Sequence, residues 1–387
     1  MELIGNVVLP EDVLWGAKIV CTEGTIRQII PNVVAEYSAL PYIVPGYIDI
    51  HNHGALGHDY MEATEETFSV VARYLASHGV TSAQCATVSA PVEQLDCLFR
   101  AYRDYQMQSQ EGCRYVGIHI EGPYIAPAAK GAHLLEALLT PAKDGYDWIL
   151  KNRDVIREIT VAPELDGMPQ MIRDLTAEGI VVSGGHDAAE PHNIVEAAEA
   201  GMSHCTHIYC AMSTLHKTNG QRVHGLCEYA MTHNTITAEM IADNHHVPPL
   251  LAKMIYKAKG ADKVCIVSDA ISPAGLPECD TIYRLGTGEN CTCVRVEDGV
   301  AMVEDRSCYA GSIQALDQMV RNLVYDAQIP LTAAVRMATL TPAQVIGIDA
   351  ECGSIAVGKR ADLCVLNKDL HVIKTVIAGK TVYEREA

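Results

Sequence analysis

Short apolar runs alternate with stretches of helical periodicity along most of this chain. Eight runs carry the β-branched and aliphatic residues of buried strands: Tyr42–Ile50, Val80–Thr87, Tyr115–Ile120, Glu158–Ala162, Ile180–Ser183, Met202–Thr206, Thr235–Ala242 and Val264–Ser268. Between most of them lie segments whose apolar positions recur every three or four residues, such as Thr64–Ser77, Met168–Glu178, His192–Ala200 and Pro248–Lys259. Regular alternation of strand and helix predicts parallel βαβ units. Eight of them favour a closed (β/α)₈ barrel over an open doubly wound sheet. An open sheet would show a Gly-rich phosphate turn after its first strand, and neither G-x-G-x-x-G nor a P-loop occurs. Two further helices are expected at Ser312–Ala327 and Leu331–Ile346. A hairpin turning at Glu297-Asp298-Gly299 is expected within Cys291–Met302.

The two ends follow another pattern. Residues 1–44 read as short strands and turns, and so does the tail from Gly353, with a turn at Ala378-Gly379-Lys380. Neither end can bury a core alone. We expect 1–44 and 353–387 to form one small β-sandwich domain, with 45–352 as the barrel.

Composition narrows the function. Of 387 residues, 49% are hydrophobic and 20% charged, an ordinary globular balance. The net charge of −19 argues against nucleic acid and anionic membrane surfaces as partners. The opening Met1-Glu2-Leu3-Ile4-Gly5 lacks a secretory pattern, and no apolar run has membrane-spanning length. Several of the fourteen cysteines, such as Cys85, Cys205, Cys265 and Cys364, sit in apolar runs as small hydrophobes. Cys291-Thr292-Cys293 is too closely spaced for a usual zinc pair. The expectation is a cytoplasmic protein with reduced thiols.

The chemistry collects where strands end. His51 and His53 close the first barrel run, and residues two apart on a strand share a face. Glu121 ends the third run, where a lone carboxylate is costly to bury without a cation. His186, behind Gly184-Gly185, and His207 follow the next runs, and Asp269 ends the last. Catalytic groups of a (β/α)₈ barrel sit at this end. Nitrogen and oxygen ligands with an open position suit a catalytic divalent metal, and a nearby carboxylate suits proton transfer. The bland alternatives are a structural ion pair at Glu121 and a helix cap at Asp269.

Longer stretches carry a resemblance. They are Pro45-Gly46-Tyr47-Ile48-Asp49-Ile50-His51-Asn52-His53-Gly54, His119-Ile120-Glu121-Gly122-Pro123-Tyr124 with Lys130-Gly131-Ala132-His133, and Gly185-His186-Asp187-Ala188. Thr206-His207-Ile208-Tyr209-Cys210-Ala211-Met212, Asp243-Asn244-His245-His246-Val247, Ser268-Asp269-Ala270 and Gly358-Lys359-Arg360-Ala361-Asp362-Leu363 continue it. Over nearly its whole length the chain resembles the amidohydrolase superfamily, and within it the N-acetylglucosamine-6-phosphate deacetylases. The resemblance implies a (β/α)₈ barrel with a small β domain built from both termini. It implies that Glu121, His186 and His207 bind the main divalent metal, commonly zinc, with Fe, Mn, Co or Ni as alternatives. It implies that His51 and His53 are the ligands of a second ion that some members carry and others lack, and that Asp269 is the catalytic base and acid. His246 would polarise the acetyl carbonyl, and His133 with Ala132 would contact the sugar. Cys210 and Ala211 would also face the substrate, and Arg222 is the candidate for its phosphate.

The implied substrate is an amino-sugar phosphate. The implied assembly is a homodimer, because members often complete the phosphate pocket from a neighbouring subunit. Cys210 stands where members usually carry Asn, Asn244 stands where they usually carry Gly, and the Met212–Gly225 segment is longer. Deacetylation of N-acetylgalactosamine 6-phosphate or of an unphosphorylated N-acyl sugar is therefore the alternative. A non-catalytic sugar- or metal-binding barrel is the remoter one.

Overall fold

The computed structural model describes residues 1–108, 111–288 and 291–385. Eight parallel strands form one sheet in chain order. They are β1 (Tyr47–Asp49), β2 (Val80–Ala86), β3 (Arg114–Glu121), β4 (Ile156–Val161), β5 (Val181–Gly184), β6 (His204–Cys205), β7 (Thr237–Met240) and β8 (Val264–Ile266). Each of the eight expected runs supplies one strand of this sheet. Helices alternate with them as the periodicity requires. In Glu65–Ser77, Phe68, Val71, Ala72 and Leu75 form the buried stripe, and Thr64 caps the start by accepting from the Thr67 N–H at 3.2 Å.

β1 and β8 end the hydrogen-bonded order, and the chain just past them closes the circle. The Asp269 N–H donates to the His51 carbonyl at 2.9 Å, and the His53 N–H donates to the Ala270 carbonyl at 2.8 Å. The buried Asp49 carboxylate accepts from the Ser268 N–H at 3.1 Å and from its hydroxyl at 2.6 Å. The seam is thus welded directly under the strand ends that carry His51, His53 and Asp269.

Three elements differ from expectation. The run Tyr42–Ile50 is two strands: Tyr42–Pro45 leaves for the terminal sheet, and β1 begins after Gly46. A Cβ at Gly46 would lie 2.2 Å from the Thr81 side chain, so only glycine lets the chain change sheets this close to β2. The expected helix Leu331–Ile346 is broken into Leu331–Met337 and Leu340–Val345. Thr339 leaves helical geometry, and Pro342 has no N–H to give the Ala338 carbonyl that an unbroken helix would pair with it. The Met212–Gly225 segment, expected only to be long, holds a hairpin of His216–Thr218 and Gln221–Val223 with Asn219-Gly220 as its turn. The expected hairpin near Cys291 is present as Thr292–Glu297 and Val300–Val303, turning at Asp298-Gly299, with Tyr283–Leu285 added as a third strand.

Both termini build a separate seven-stranded sheet, mostly antiparallel. Leu363–Leu366 pairs with Tyr42–Pro45, which pairs in turn with Asn6 and Val7. The sheet curls so that Thr25 bridges Arg360, and it encloses Val7, Ile19, Ile26, Ile43, Leu363 and Val376. All fourteen cysteines are unpaired. Among the described residues no helix is long and apolar enough to cross a membrane.

The seam generates a stability prediction. Asp49→Ala leaves the buried Ser268 N–H without an acceptor and its hydroxyl with only the His51 carbonyl at 3.4 Å, and should cost about 2–4 kcal/mol, whereas Asp49→Asn should cost about 1 kcal/mol. Urea unfolding midpoints of the two variants check this.

Candidate active site

Six side chains arrive at the carboxyl end of the barrel from five strands. His51 and His53 lie just past β1, and Glu121 is the last residue of β3. His186 and His207 each follow their strand by two residues, and Asp269 lies three past β8. Glycine makes room: a Cβ at Gly185 would stand 2.8 Å from Thr206. His186, His207 and Asp269 all adopt a left-handed backbone, at φ 48°, 21° and 46°. For residues with a Cβ this costs of order 1 kcal/mol each, a strain typical of functional sites.

Glu121 is the hub. Its Oε1 lies 2.9 Å from His207 Nε2, 3.2 Å from His186 Nε2 and 3.4 Å from His51 Nε2. Its Oε2 lies 3.4 Å from His53 Nε2 and 3.2 Å from His133 Nε2. Asp269 Oδ1 faces His53 Nε2 at 3.1 Å and His51 Nε2 at 3.6 Å. Two ligand groups therefore stand side by side, Glu121 with His186 and His207, and His51 with His53 and Asp269.

The donor chemistry fits divalent cations. His186 donates through Nδ1 to the Ala129 carbonyl at 2.9 Å, which leaves a lone pair on Nε2. His51 is turned the same way by Glu239 Oε2, 2.9 Å from its Nδ1. Yet the Nε2 atoms of His186 and His207 face each other at 3.2 Å, as do those of His51 and His53. Lone pairs and carboxylate oxygens converging in a buried space need a proton or a cation between them. The titration behaviour agrees. Burial disfavours charge on His51, but Glu239 and Glu121 overcome it and hold its pKa well above the ordinary imidazole value. Burial also opposes charge on His53, while Asp269 and Glu121 pull it up to about 9. Glu121 sits well below the carboxylate range despite burial, because His51, His133, His186 and His207 all favour its charged form.

His133 plays another part. Its Nδ1 accepts from the Ser89 N–H at 3.0 Å, so its Nε2–H donates to Glu121 Oε2. Burial pushes its pKa down to about 4, so it stays neutral. It fixes the free edge of the Glu121 carboxylate as well as lining the cavity.

Glu239, on β7, was not anticipated. One of its oxygens, Oε2, accepts from His51 Nδ1 and from the His207 backbone N–H at 3.0 Å, so it ties the two ligand groups together. The signal was present: a lone carboxylate among Ile236, Ala238, Met240 and Ile241, the pattern that marked Glu121. Below it lie the buried Glu158 and His204, the latter 3.7 Å from Glu158 and 3.8 Å from Glu239. His192, in contrast, is exposed.

A cavity of about 510 Å³ opens above the cluster. Ala132, His133, Cys210, Ala211 and His246 all line it, as the sequence led us to expect. His246 is oriented through Nδ1 by Asp243 Oδ2 at 2.8 Å and rests against the Tyr309 ring. Arg222 is not brought there: it stands exposed on the His216–Val223 hairpin. Tyr309 and Arg306, from the loop after Val303, line the cavity instead and were missed, because that loop carries no strand-end signature.

Two predictions follow from this geometry. Glu239→Ala should weaken metal affinity about 10- to 100-fold at the His51–His53 position first, seen as a lower metal-to-protein ratio after dialysis. Metal competes with protons for His51 and His53, so apparent affinity should rise with pH between about 6 and 9; a flat profile in chelator competition would contradict this.

Comparison with known proteins places this geometry. Residues 42–382 match the Amidohydrolase family. The chain is 32% identical over 345 residues to the N-acetylglucosamine-6-phosphate deacetylase of Bacillus subtilis (strain 168), covering 88% of this chain and 84% of the relative. It is equally identical, 32% over 361 residues and 92% of each chain, to the N-acetylgalactosamine-6-phosphate deacetylase of Escherichia coli O157:H7. Among solved structures, the Thermotoga maritima N-acetylglucosamine-6-phosphate deacetylase superposes with a TM-score of 0.89 at 29% identity, covering both chains fully. A variant of the Mycobacterium smegmatis enzyme, in complex with N-acetyl-D-glucosamine-6-phosphate, gives 0.88 at 27% identity over 99% of each chain. Eight parallel strands, a terminal sheet and a Glu-His metal-type cluster at the barrel mouth accompany these matches, and the chain belongs to the amidohydrolase family.

Proposed function

We propose that this chain is a metal-dependent hydrolase that removes the acetyl group of N-acetylglucosamine 6-phosphate, giving glucosamine 6-phosphate and acetate. The observation that carries the reading is the Glu121 hub, with its two ligand groups, at the floor of a cavity of sugar size. The relatives named above supply the substrate class.

Glu121, His186 and His207 would hold the main ion, and His51 and His53 a second. Zinc suits the nitrogen-rich set best. A bound divalent cation would acidify water and polarise the amide carbonyl. The protein's own residues do the rest. Asp269 is charged, held below the ordinary carboxylate range by His53 and His51 against the pull of burial. It is therefore ready to take a proton from the attacking water and return it to the departing amine. His246, locked by Asp243, faces the cavity where charge would develop on the carbonyl oxygen. Ala132, His133, Cys210 and Ala211 enclose the sugar.

Arg222 does not line its own cavity, so a phosphate role for it requires a homodimer. We include that assembly, and a cytoplasmic setting with reduced thiols, in the proposal.

The equal likeness to the galactosamine enzyme favours a second reading, in which the 4-epimer is the substrate. Acetate release from N-acetylglucosamine 6-phosphate, N-acetylgalactosamine 6-phosphate and N-acetylglucosamine by metal-loaded protein separates the readings. A strong preference for the first supports the proposal, and preference for the second exchanges the epimer. Release from none of them removes the hydrolase reading. Asp269→Asn should keep its metal and lose about 10³-fold or more in kcat. Near-normal turnover would exclude Asp269 as the proton carrier.

A further inference from the structure

We propose that Glu158, His204 and Glu239 form a further cation site, a buried structural one for zinc or a similar first-row divalent ion, in the barrel interior beneath the cavity. The site goes beyond the hydrolase reading and does not rest on it. Glu158 on β4, His204 on β6 and Glu239 on β7 converge from three strands, and all three side chains are fully buried. One ligand atom of each lies within 4.8 Å of the others.

The atoms that meet there are acceptors facing acceptors. Both Glu158 oxygens, Glu239 Oε1 and His204 Nε2 are without a hydrogen-bond partner among the described residues. A buried carboxylate in that position needs opposite charge beside it. His204 does not supply it through an ordinary hydrogen bond. Its Nε2 stands 3.7 Å from Glu158 Oε1 and 3.8 Å from Glu239 Oε1, beyond hydrogen-bond reach. The tautomer of His204 follows from its other nitrogen. The Thr237 hydroxyl donates to the Ser203 carbonyl at 3.2 Å, so its oxygen accepts from His204 Nδ1–H at 2.6 Å. The neutral ring then aims the bare lone pair of Nε2 at two carboxylates.

A divalent ion resolves this arrangement. Nitrogen and oxygen ligands about 2.0–2.2 Å from a zinc ion stand roughly 3.3–4 Å from one another, the range in which both His204 separations fall. One imidazole with carboxylates suits zinc, iron or manganese. Glu158 has two free oxygens, so it can bind through both and bring the donors to four. Two ionised carboxylates balance the charge of one divalent ion. Glu239 divides its oxygens between the two levels: Oε2 serves His51 and the His207 N–H, and Oε1 is left for the core. An ion held below would therefore fix the carboxylate that orients His51. None of the three residues lines the cavity, so this ion should exchange far more slowly than those bound at its floor.

Metal content after chelation tests this. Wild type, Glu158→Gln and His204→Gln are produced in zinc-supplemented medium, dialysed against EDTA, checked for folding by circular dichroism and assayed by elemental mass spectrometry. Wild type should keep about one zinc per chain after the cavity ions are gone and release it only on unfolding in guanidinium, whereas each variant should lose roughly tenfold or more of that residual zinc. Anomalous scattering at the zinc edge from EDTA-treated wild-type crystals gives an answer that does not depend on the variants folding. The expected peak lies about 2.0–2.2 Å from the Glu158, His204 and Glu239 ligand atoms. Wild type that keeps no zinc overturns the proposal and means that protons neutralise the carboxylates instead. Residual zinc undiminished in folded Glu158→Gln overturns it too, as does an anomalous peak confined to other positions. None of these outcomes bears on the deacetylase reading, which depends on the ligand groups around Glu121.

Discussion

The Glu121 carboxylate, buried and facing five imidazoles, sets the terms for the rest of this molecule. Taking a carboxylate out of water is expensive, and so is lining up imidazole lone pairs against one another. The fold bears both costs at one place, where a divalent cation would repay them. Every group around Glu121 is then constrained. His186 must face inward, so Ala129 takes its other proton. His51 must do the same, so Glu239 takes its proton. His133 must stay neutral and donate, so the Ser89 amide fills its other nitrogen.

The barrel seam belongs to the same problem. His51, His53 and Asp269 come from the first and last strands, which the sheet order leaves unpaired. Their mutual distances are fixed only because the chain past those strands pairs directly and Asp49 clamps Ser268. Left-handed backbone at His186, His207 and Asp269 is the local cost of turning these side chains into the mouth. The rigid strands beneath absorb that strain.

The floor and the walls of the cavity come from different parts of the fold. The metal-type cluster is built from strand ends, whereas the cavity walls come from loops and from the inserted three-stranded sheet. Loops on a fixed scaffold vary without disturbing the chemistry. Relatives named for two different epimers resemble this chain equally, as such a division allows.

The sequence by itself determined the eight strands, the helices between them and the identity of the clustered residues. These signals are local: His51 and His53 share a face because they are two apart, and Glu121 is conspicuous because its strand is otherwise apolar. The change of sheet at Gly46 was hidden, because Tyr42–Ile50 is apolar throughout and nothing within it shows the approach of Thr81. Only the tertiary structure decided how the groups are held. Glu239 and His51 are 188 residues apart, and no spacing rule joins them. It also decided which arginine's loop borders the cavity. Arg222 and Arg306 look alike in sequence, each near a hairpin turn, and both are exposed, but of the two only Arg306 borders the cavity. Orientation of that kind arises from packing between distant segments, which local propensity does not encode.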